Sequence, residues 1–204
     1  RAWMATQLDP RTESGKVPGF TLAAEPFQLE ERISQLEQQV EALRKKTPDA
    51  NKATLLFFSG DQDKALAGLM IGTTAASMGM DVTMFFTFWG VNVLKQKRSY
   101  SGKDIKEKMI DLMTPAGADH MGVSQLNMLG MGPMMLKMMM KDKNVVSADE
   151  MLELARDSGV HIIACSTTMQ VMGFKQDELL EGIEIAGAAS YMAEASHSGC
   201  TLFI

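Results

Sequence analysis

Short apolar runs alternate with stretches of helical spacing from residue 52 onward. Three of these runs are apolar on both faces, which is typical of strands buried between two layers of helices. They are "ATLLFFSGD" from Ala53, "DVTMFFTF" over 81–88 and "VHIIACS" over 160–166. Shorter candidate strands cover 182–187 and 200–204. Helical spacing separates these runs at 63–80, 148–158 and 188–196. This alternation predicts a parallel sheet covered by helices.

The connection between the second and third predicted strands is far longer than one crossover helix requires. We assign residues 89–146 to an insertion within an α/β domain that spans 52–204. Long insertions of this kind tend to carry function or partner contacts.

The N-terminal part of the chain has a different pattern. Residues 1–28 are rich in Pro and Gly with few spaced apolar positions, which predicts a loosely structured tail. Residues 29–47 predict an amphipathic helix with a heptad seam of about two repeats. Such a helix could pack on its own domain or pair with a second copy, and the pattern leaves both open. The seam consists of Leu29, Ile33, Leu36, Val40 and Leu43.

Composition narrows the classes of function. The chain has 204 residues, of which 46% are hydrophobic and 22% charged, and its net charge is -5. This charge provides no basic surface, so we expect no nucleic-acid partner. Two cysteines do not make a disulfide framework, and with no visible export signal we expect a cytoplasmic protein.

Cys165 is the strongest candidate for chemistry, because it ends an apolar run and precedes small hydroxyl residues. Sites in open parallel sheets form at the carboxyl ends of the strands. If a helix begins just after Cys165, N–H groups of Thr167, Thr168 or Met169 would stabilise a thiolate. We therefore name Ser166, Thr167 and Thr168 as thiolate-stabilising candidates. The alternative is a buried, inert cysteine.

Other strand ends supply further candidates for the edge of the site, namely Ser59, Gly60, Asp61 and Trp89. Cys200 opens the last predicted strand at the opposite edge of the sheet, where we expect a packing role. The segment "SGDQDKALAG" lacks the glycine patterns of phosphate-binding loops, so no nucleotide cofactor is expected. The three histidines form no zinc-ligand spacing with the cysteines, so no metal is expected.

Methionine is unusually frequent, with 19 residues, eight of them between 121 and 140. Breaks at Gly130, Pro133 and Lys137 argue against a membrane span, although membrane contact through 121–141 stays open. Copper binding by thioethers is chemically feasible, but only His120 lies nearby. A flexible apolar surface that covers the site or docks another subunit fits best. We place it at Met134, Met135, Met138 and Met139 and expect a homo-oligomer.

Three segments carry a family resemblance: "LLFFSGDQDKALAGLMIGTTAASMGMDVTMFFTFWG", "VHIIACSTTMQVMGF" and "GIEIAGAASYMAEASHSGCTLFI". They resemble the DsrE/DsrF/DsrH-like family, in particular its larger DsrE-like branch, described as sulfurtransferase or peroxiredoxin-family proteins. The resemblance covers about residues 52–204. It implies a flavodoxin-like three-layer α/β/α fold with a five-stranded parallel sheet, commonly oligomeric, and it matches Cys165 to the residue that carries sulfur.

The leading hypothesis is therefore a sulfurtransferase-like relay protein that holds sulfane sulfur as a persulfide on Cys165. The resemblance implies TusA-like or rhodanese-like proteins as donors and acceptors, with no cofactor. A thiol peroxidase is one alternative, although no arginine adjoins Cys165 and no resolving cysteine is near it. A non-catalytic oligomeric assembly protein is the other.

Overall fold

The chain is described by a computed structural model, which covers residues 26–44, 47–100 and 102–204. Most of the predicted tail, residues 1–25, lies outside this range. The elements in chain order are α1 (Pro26–Arg44), β1 (Asp49–Phe57), α2 (Gln62–Ser77), β2 (Asp81–Phe86), α3 (Ile105–Met113), α4 (Met131–Asp142), α5 (Ala148–Asp157), β3 (His161–Cys165), α6 (Ser166–Met172), β4 (Glu184–Ala186), α7 (Ala188–His197) and β5 (Ser198–Phe203).

Two compact units divide the chain at residue 45. The first contains α1, a single helix that begins at Pro26, three residues before the first seam position. The second unit, residues 46–204, contains the sheet and the other helices. Its first strand begins at Asp49, three residues earlier than the apolar pattern indicated.

The second unit is built on a five-stranded sheet in the order β4-β3-β2-β1-β5, with every neighbouring pair parallel. The predicted α/β fold with a five-stranded parallel sheet is therefore confirmed. The chain proceeds outward from β1 to β4 and then returns to place β5 on the other side of β1. The strand order thus reverses between β1 and β5, which makes this the topological switch point of the sheet.

The two faces of the sheet are covered unequally. On one face, Leu55, Phe57, Met84 and Phe86 are fully buried in a large core with residues of α2 and α5. The rings of Phe57 and Phe86 stack there with centroids 4.3 Å apart. Helix α2 lies close to the sheet because Gly72 faces Met84, where a Cβ atom would come within 2.0 Å of the methionine methyl group.

The opposite face has a much smaller core. It consists of Phe85, Ile163 and Cys165, against which Leu56, Ala186 and Tyr191 pack. Tyr191 belongs to α7, and its ring lies 5.4 Å from that of Phe85. Cys165 therefore points to the thinly covered face, at the carboxyl end of β3.

The insertion is folded rather than an extended loop. It contains a 3₁₀ segment at Phe88–Leu94, helices α3 and α4, and two shorter 3₁₀ turns. Helix α5 follows it with a capping box, in which Ser147 and Glu150 exchange hydrogen bonds of 3.0 and 3.2 Å.

Four buried charges attach the insertion to the segment that follows α6. Lys95 contacts Asp111 at 2.5 Å, and Lys103 contacts Glu178 at 2.7 Å and Asp111 at 3.3 Å. All four side chains are fully buried. Two lysines and two carboxylates balance, so the cluster is neutral only while all four are present. Buried ion pairs add little over apolar packing, but removing one partner leaves an uncompensated charge.

We expect Lys103→Met to destabilise the domain by about 3–5 kcal/mol, because it leaves one carboxylate buried without its counter-charge. The control is Lys106→Met, which removes an exposed lysine from the neighbouring helix α3. Denaturant unfolding of both variants measures the difference. Equal stability of the two variants would show that the cluster does not contribute to the fold.

Candidate functional site

The site is centred on Cys165, the last residue of β3 and the residue immediately before α6. Strand β3 lies between β2 and β4, with Ala164 opposite Phe86 and Cys165 opposite Ala186. This register brings Thr87, the residue after β2, to the level of Cys165. The first turn of α6 supplies free backbone N–H groups on the same side of the sulfur.

Two opposing effects act on the pKa of the Cys165 thiol. Burial raises it, because a thiolate is poorly solvated in an apolar core. Hydrogen bonds lower the pKa, and they come from the backbone and hydroxyl of Thr168, the hydroxyl of Thr87 and the backbone of Thr167. The hydrogen bonds prevail, and the pKa of Cys165 lies below its ordinary value. At neutral pH the thiolate is therefore a larger fraction than in a free cysteine.

The hydroxyl of Thr168 connects three parts of the site. It accepts a hydrogen bond from the backbone N–H of Phe88 at 3.0 Å and lies 3.1 Å from the hydroxyl of Thr87. Each hydroxyl has one proton, so neither threonine can donate to the other hydroxyl and to the sulfur at the same time. When the sulfur is ionised, both protons can turn toward it.

Phe88 has a backbone conformation that is unusual for a residue with a side chain, with φ of 47°. The N–H of Phe88 is held by Thr168, and Gly90 donates to the carbonyl groups of Phe58 and Thr87 at 3.1 and 3.0 Å. Gly90 is required here because a Cβ atom would lie 2.2 Å from the carbonyl oxygen of Phe57. Strained backbone of this kind is typical of functional sites.

Cys165 lines a cavity of about 240 Å³. The sulfur-bearing residue itself is only 6% exposed, whereas Phe88 and Val171 at the cavity wall are 49% and 67% exposed. The space is smaller than the pockets of about 300–1,000 Å³ that bind drug-sized ligands. It suits a small group attached to the sulfur. The lining residues are Thr87, Phe88, Cys165, Thr167, Thr168, Val171, Met172 and Ala188.

The predicted edge residues lie in a different cavity. Ser59, Gly60, Asp61 and Trp89 line a space of about 720 Å³ at the switch point between β1 and β5. Asp61 accepts from Ser59 at 2.8 Å and pairs with Lys64 at 2.7 Å. Ser59, Gly60 and Asp61 follow β1, which β2 separates from β3, and neither these three residues nor Trp89 lines the cavity of Cys165. The two cavities adjoin through Phe58 and Phe88, whose ring centroids are 5.4 Å apart.

The other predicted residues divide into those that act on Cys165 and those placed elsewhere. Thr168 and Thr167 are among the groups that act most strongly on the pKa of the thiol, whereas Ser166 is not and its hydroxyl lies beside Gly187. Thr87 was absent from the predicted set, although its position directly after an apolar run was a usable signal. Cys200 is free and exposed on β5, so the packing role predicted for it is wrong.

The four predicted methionines lie on α4 with exposed side chains. Met135 and Met139 line an apolar groove of about 680 Å³, and Met134 and Met138 line a second space beside Asp119 and Lys137. Neither space includes Cys165. Within one chain, these methionines do not line the cavity of Cys165.

The described residues contain neither a cluster of metal ligands nor a membrane-spanning helix. No group of three or more His, Cys, Asp or Glu side chains in 26–44, 47–100 and 102–204 could hold a metal ion. None of the helices in the same ranges is long and apolar enough to cross a membrane.

The fold and site define a parallel α/β protein with a buried cysteine of lowered pKa at the carboxyl end of an inner strand. A sequence model of the DsrE/DsrF/DrsH-like family matches residues 49–203. The chain belongs to this family, as its sequence resemblance predicted.

Two curated relatives match nearly their whole length. The uncharacterised protein YrkE of Bacillus subtilis is 42% identical over 159 residues, which are 78% of this chain and 99% of YrkE. The sulfur carrier protein DsrE2 of Allochromatium vinosum is 31% identical over 160 residues, 76% of this chain and 99% of DsrE2. Among solved structures, the ychN protein of E. coli has a TM-score of 0.47 and 11% identity, covering 76% of this chain and all of its own.

We expect Thr168→Val to raise the pKa of Cys165, with an acid dissociation constant lower by roughly tenfold or more, since a hydrogen bond to a charged group contributes about 1.5–3 kcal/mol. Thr168→Ser keeps the hydroxyl and serves as the control. The pH dependence of alkylation, measured in a Cys200→Ser background, reports the pKa. A Thr168→Val profile identical to that of the control would mean that the hydroxyl does not stabilise the thiolate.

Proposed function

We propose that this protein carries sulfane sulfur as a persulfide on Cys165. The observation that carries the proposal is the position of Cys165 at the carboxyl end of β3, beside a small cavity, where hydrogen bonds from Thr168, Thr87 and Thr167 lower the pKa of its thiol against the effect of burial. A thiolate is the nucleophile that accepts sulfur. The relative named sulfur carrier protein DsrE2, which aligns with three-quarters of the chain, supports the same function.

In the first half of the proposed cycle, the Cys165 thiolate attacks the outer sulfur of a donor persulfide. A sulfur–sulfur bond forms at Cys165, the sulfur–sulfur bond of the donor breaks, and the donor leaves as a thiolate. In the second half, an acceptor thiolate attacks the outer sulfur on Cys165, which is released as a thiolate. No oxidant or reductant is consumed, and one cysteine suffices.

The cavity beside Cys165 has room for the additional sulfur atom. Val171, Met172 and Ala188 give it an apolar wall, and Thr87 and Thr168 give it a polar side. The half-exposed Phe88 and the exposed Val171 form the rim that a donor or acceptor thiol would pass. We propose that the donor and acceptor are protein thiols of the TusA-like or rhodanese-like kind that the family resemblance implies.

The position of Cys200 favours a carrier over a thiol peroxidase. A peroxidase of the two-cysteine type needs a second thiol to resolve the sulfenic acid on the first. Cys200 lies on β5, three strands from β3, and pairs with Ala53 in the middle of β1. An intrachain disulfide between Cys165 and Cys200 is therefore too distant to form in the fold.

We expect the full chain to gain one sulfur atom per molecule when it is treated with an equimolar amount of glutathione persulfide, as measured by intact mass. Cys165→Ser should abolish the gain, and the matched variant Cys200→Ser should retain it. Dithiothreitol should remove the added sulfur, because a persulfide is reducible.

The opposite pattern, with loading retained in Cys165→Ser and lost in Cys200→Ser, would contradict the assignment. A parallel treatment with hydrogen peroxide distinguishes a carrier from a peroxidase. Rapid turnover of peroxide with a thiol reductant and no stable sulfur loading would favour the peroxidase.

We further propose that Met134, Met135, Met138 and Met139 contact a second copy of the chain and cover its Cys165. The support is the exposure of all four side chains and the apolar groove that Met135 and Met139 line. Exposed apolar patches of this extent on a globular domain mark interaction sites. Because none of the four lines the cavity of Cys165 in its own chain, any cover must come from a neighbouring copy.

We expect the double variant Met135→Lys and Met139→Lys to lower the apparent mass on size exclusion and to raise the alkylation rate of Cys165, since unpaired charge is costly in a dry interface. The control, Met135→Leu with Met139→Leu, keeps the surface apolar and should preserve both properties. Unchanged mass and alkylation rate in the lysine variant would exclude this surface as the contact.

A further inference from the structure

Helix α1 presents an apolar stripe along one side. Four of its members, Leu29, Ile33, Leu36 and Val40, are between 45% and 58% exposed, and Leu43 continues the same spacing. The intervals of four and three residues place all five on one narrow side of a helix. A stripe this narrow is the width of a coiled-coil seam, which is narrower than the apolar side of a helix that covers a domain core.

The residue types along the stripe fit one kind of pairing. In heptad terms, Ile33 and Val40 occupy the a positions, and Leu29, Leu36 and Leu43 occupy the d positions. β-Branched residues at a with leucine at d favour two parallel strands over trimers and tetramers. A helix that packs on its own domain has no need for this alternation of branching.

The charges that flank the stripe fit the same arrangement. Arg32 occupies a g position and Glu37 the e position of the next heptad. In a parallel pair, a g residue faces the e residue five positions later on the other helix. Arg32 of each copy would therefore meet a glutamate of the other copy, twice by symmetry. Within its own helix, Arg32 donates a hydrogen bond to Gln35 at 3.4 Å.

We propose that α1 pairs with α1 of a second copy as a parallel two-stranded coiled coil. Both the branching of the seam residues and the opposite charges at g and e favour pairing with a second copy of the chain. The seam is about two heptads long, so isolated helices would pair weakly. When another contact joins two copies, the effective concentration of one α1 helix near the other is about 1 mM, which is enough for weakly pairing helices to associate. This inference is independent of the sulfur chemistry.

The test is a disulfide between copies of the full chain. Leu29→Cys is introduced into a Cys165→Ser, Cys200→Ser background, and Ser34→Cys, on the outer side of the helix, is the matched control. In a parallel pair each seam residue faces its own counterpart, so Leu29→Cys should form covalent dimers under mild oxidation much faster than Ser34→Cys. An antiparallel pair would separate the two cysteines. Equal rates, or no dimer from Leu29→Cys, would overturn the proposal.

Charge reversal tests the register of the same pair. Arg32→Glu and Glu37→Arg each set like charges against each other between copies, and each should lower the rate of Leu29→Cys dimer formation. The double variant restores opposite charges and should recover the rate. A helix packed on its own domain would show no such recovery, so a double variant no better than the single ones would also overturn the proposal.

Discussion

The candidate site depends on one hydroxyl group, that of Thr168. This oxygen receives the N–H of Phe88, lies beside the hydroxyl of Thr87 and acts on the sulfur of Cys165. It therefore joins the end of β2, the end of β3 and the first turn of α6. Without such donors, burial alone would raise the pKa of Cys165 and leave an inert thiol. The pairing register of β2 and β3 is consequently a requirement of the proposed chemistry.

The insertion helps to hold this arrangement from both sides. Its 3₁₀ segment begins with Phe88, whose strained backbone is fixed by Thr168 and whose ring forms the rim of the cavity. Farther along, Lys95 lies 4.5 Å from the ring of Phe174, just beyond the end of α6, and is part of the buried charge cluster. Helix α6, which begins just after Cys165, is thus anchored near its other end by charges from the insertion. The insertion thus contributes both to the surroundings of Cys165 and to the exposed methionines of α4.

Sequence reasoning identified the parts of the site that are local in the chain. The apolar run before Cys165 and the hydroxyl residues after it predicted a strand followed by a helix, and so identified Thr167 and Thr168. Thr87 was left out of the candidates although it directly follows an apolar run, and Ser59, Gly60 and Asp61 were grouped with Cys165 although they line another cavity. Strand order decides which loops adjoin, and apolar runs do not encode it. The buried contact between Lys103 and Glu178, 75 residues apart in the chain, likewise follows from tertiary packing that no periodicity reports.

The balance between burial and hydrogen bonding that sets the pKa of Cys165 suits both halves of the proposed cycle. A lower pKa increases the thiolate fraction, but it also weakens the nucleophile, with a Brønsted coefficient of about 0.4–0.5. The opposing contributions of burial and hydrogen bonding limit how far the pKa falls. When sulfur is passed on, Cys165 is the leaving group, and a lower pKa speeds its departure. The same donors on Thr168, Thr87 and Thr167 would therefore stabilise the charge on Cys165 before it accepts sulfur and again as it gives sulfur up. A single cysteine with this environment can act in both directions without a second thiol.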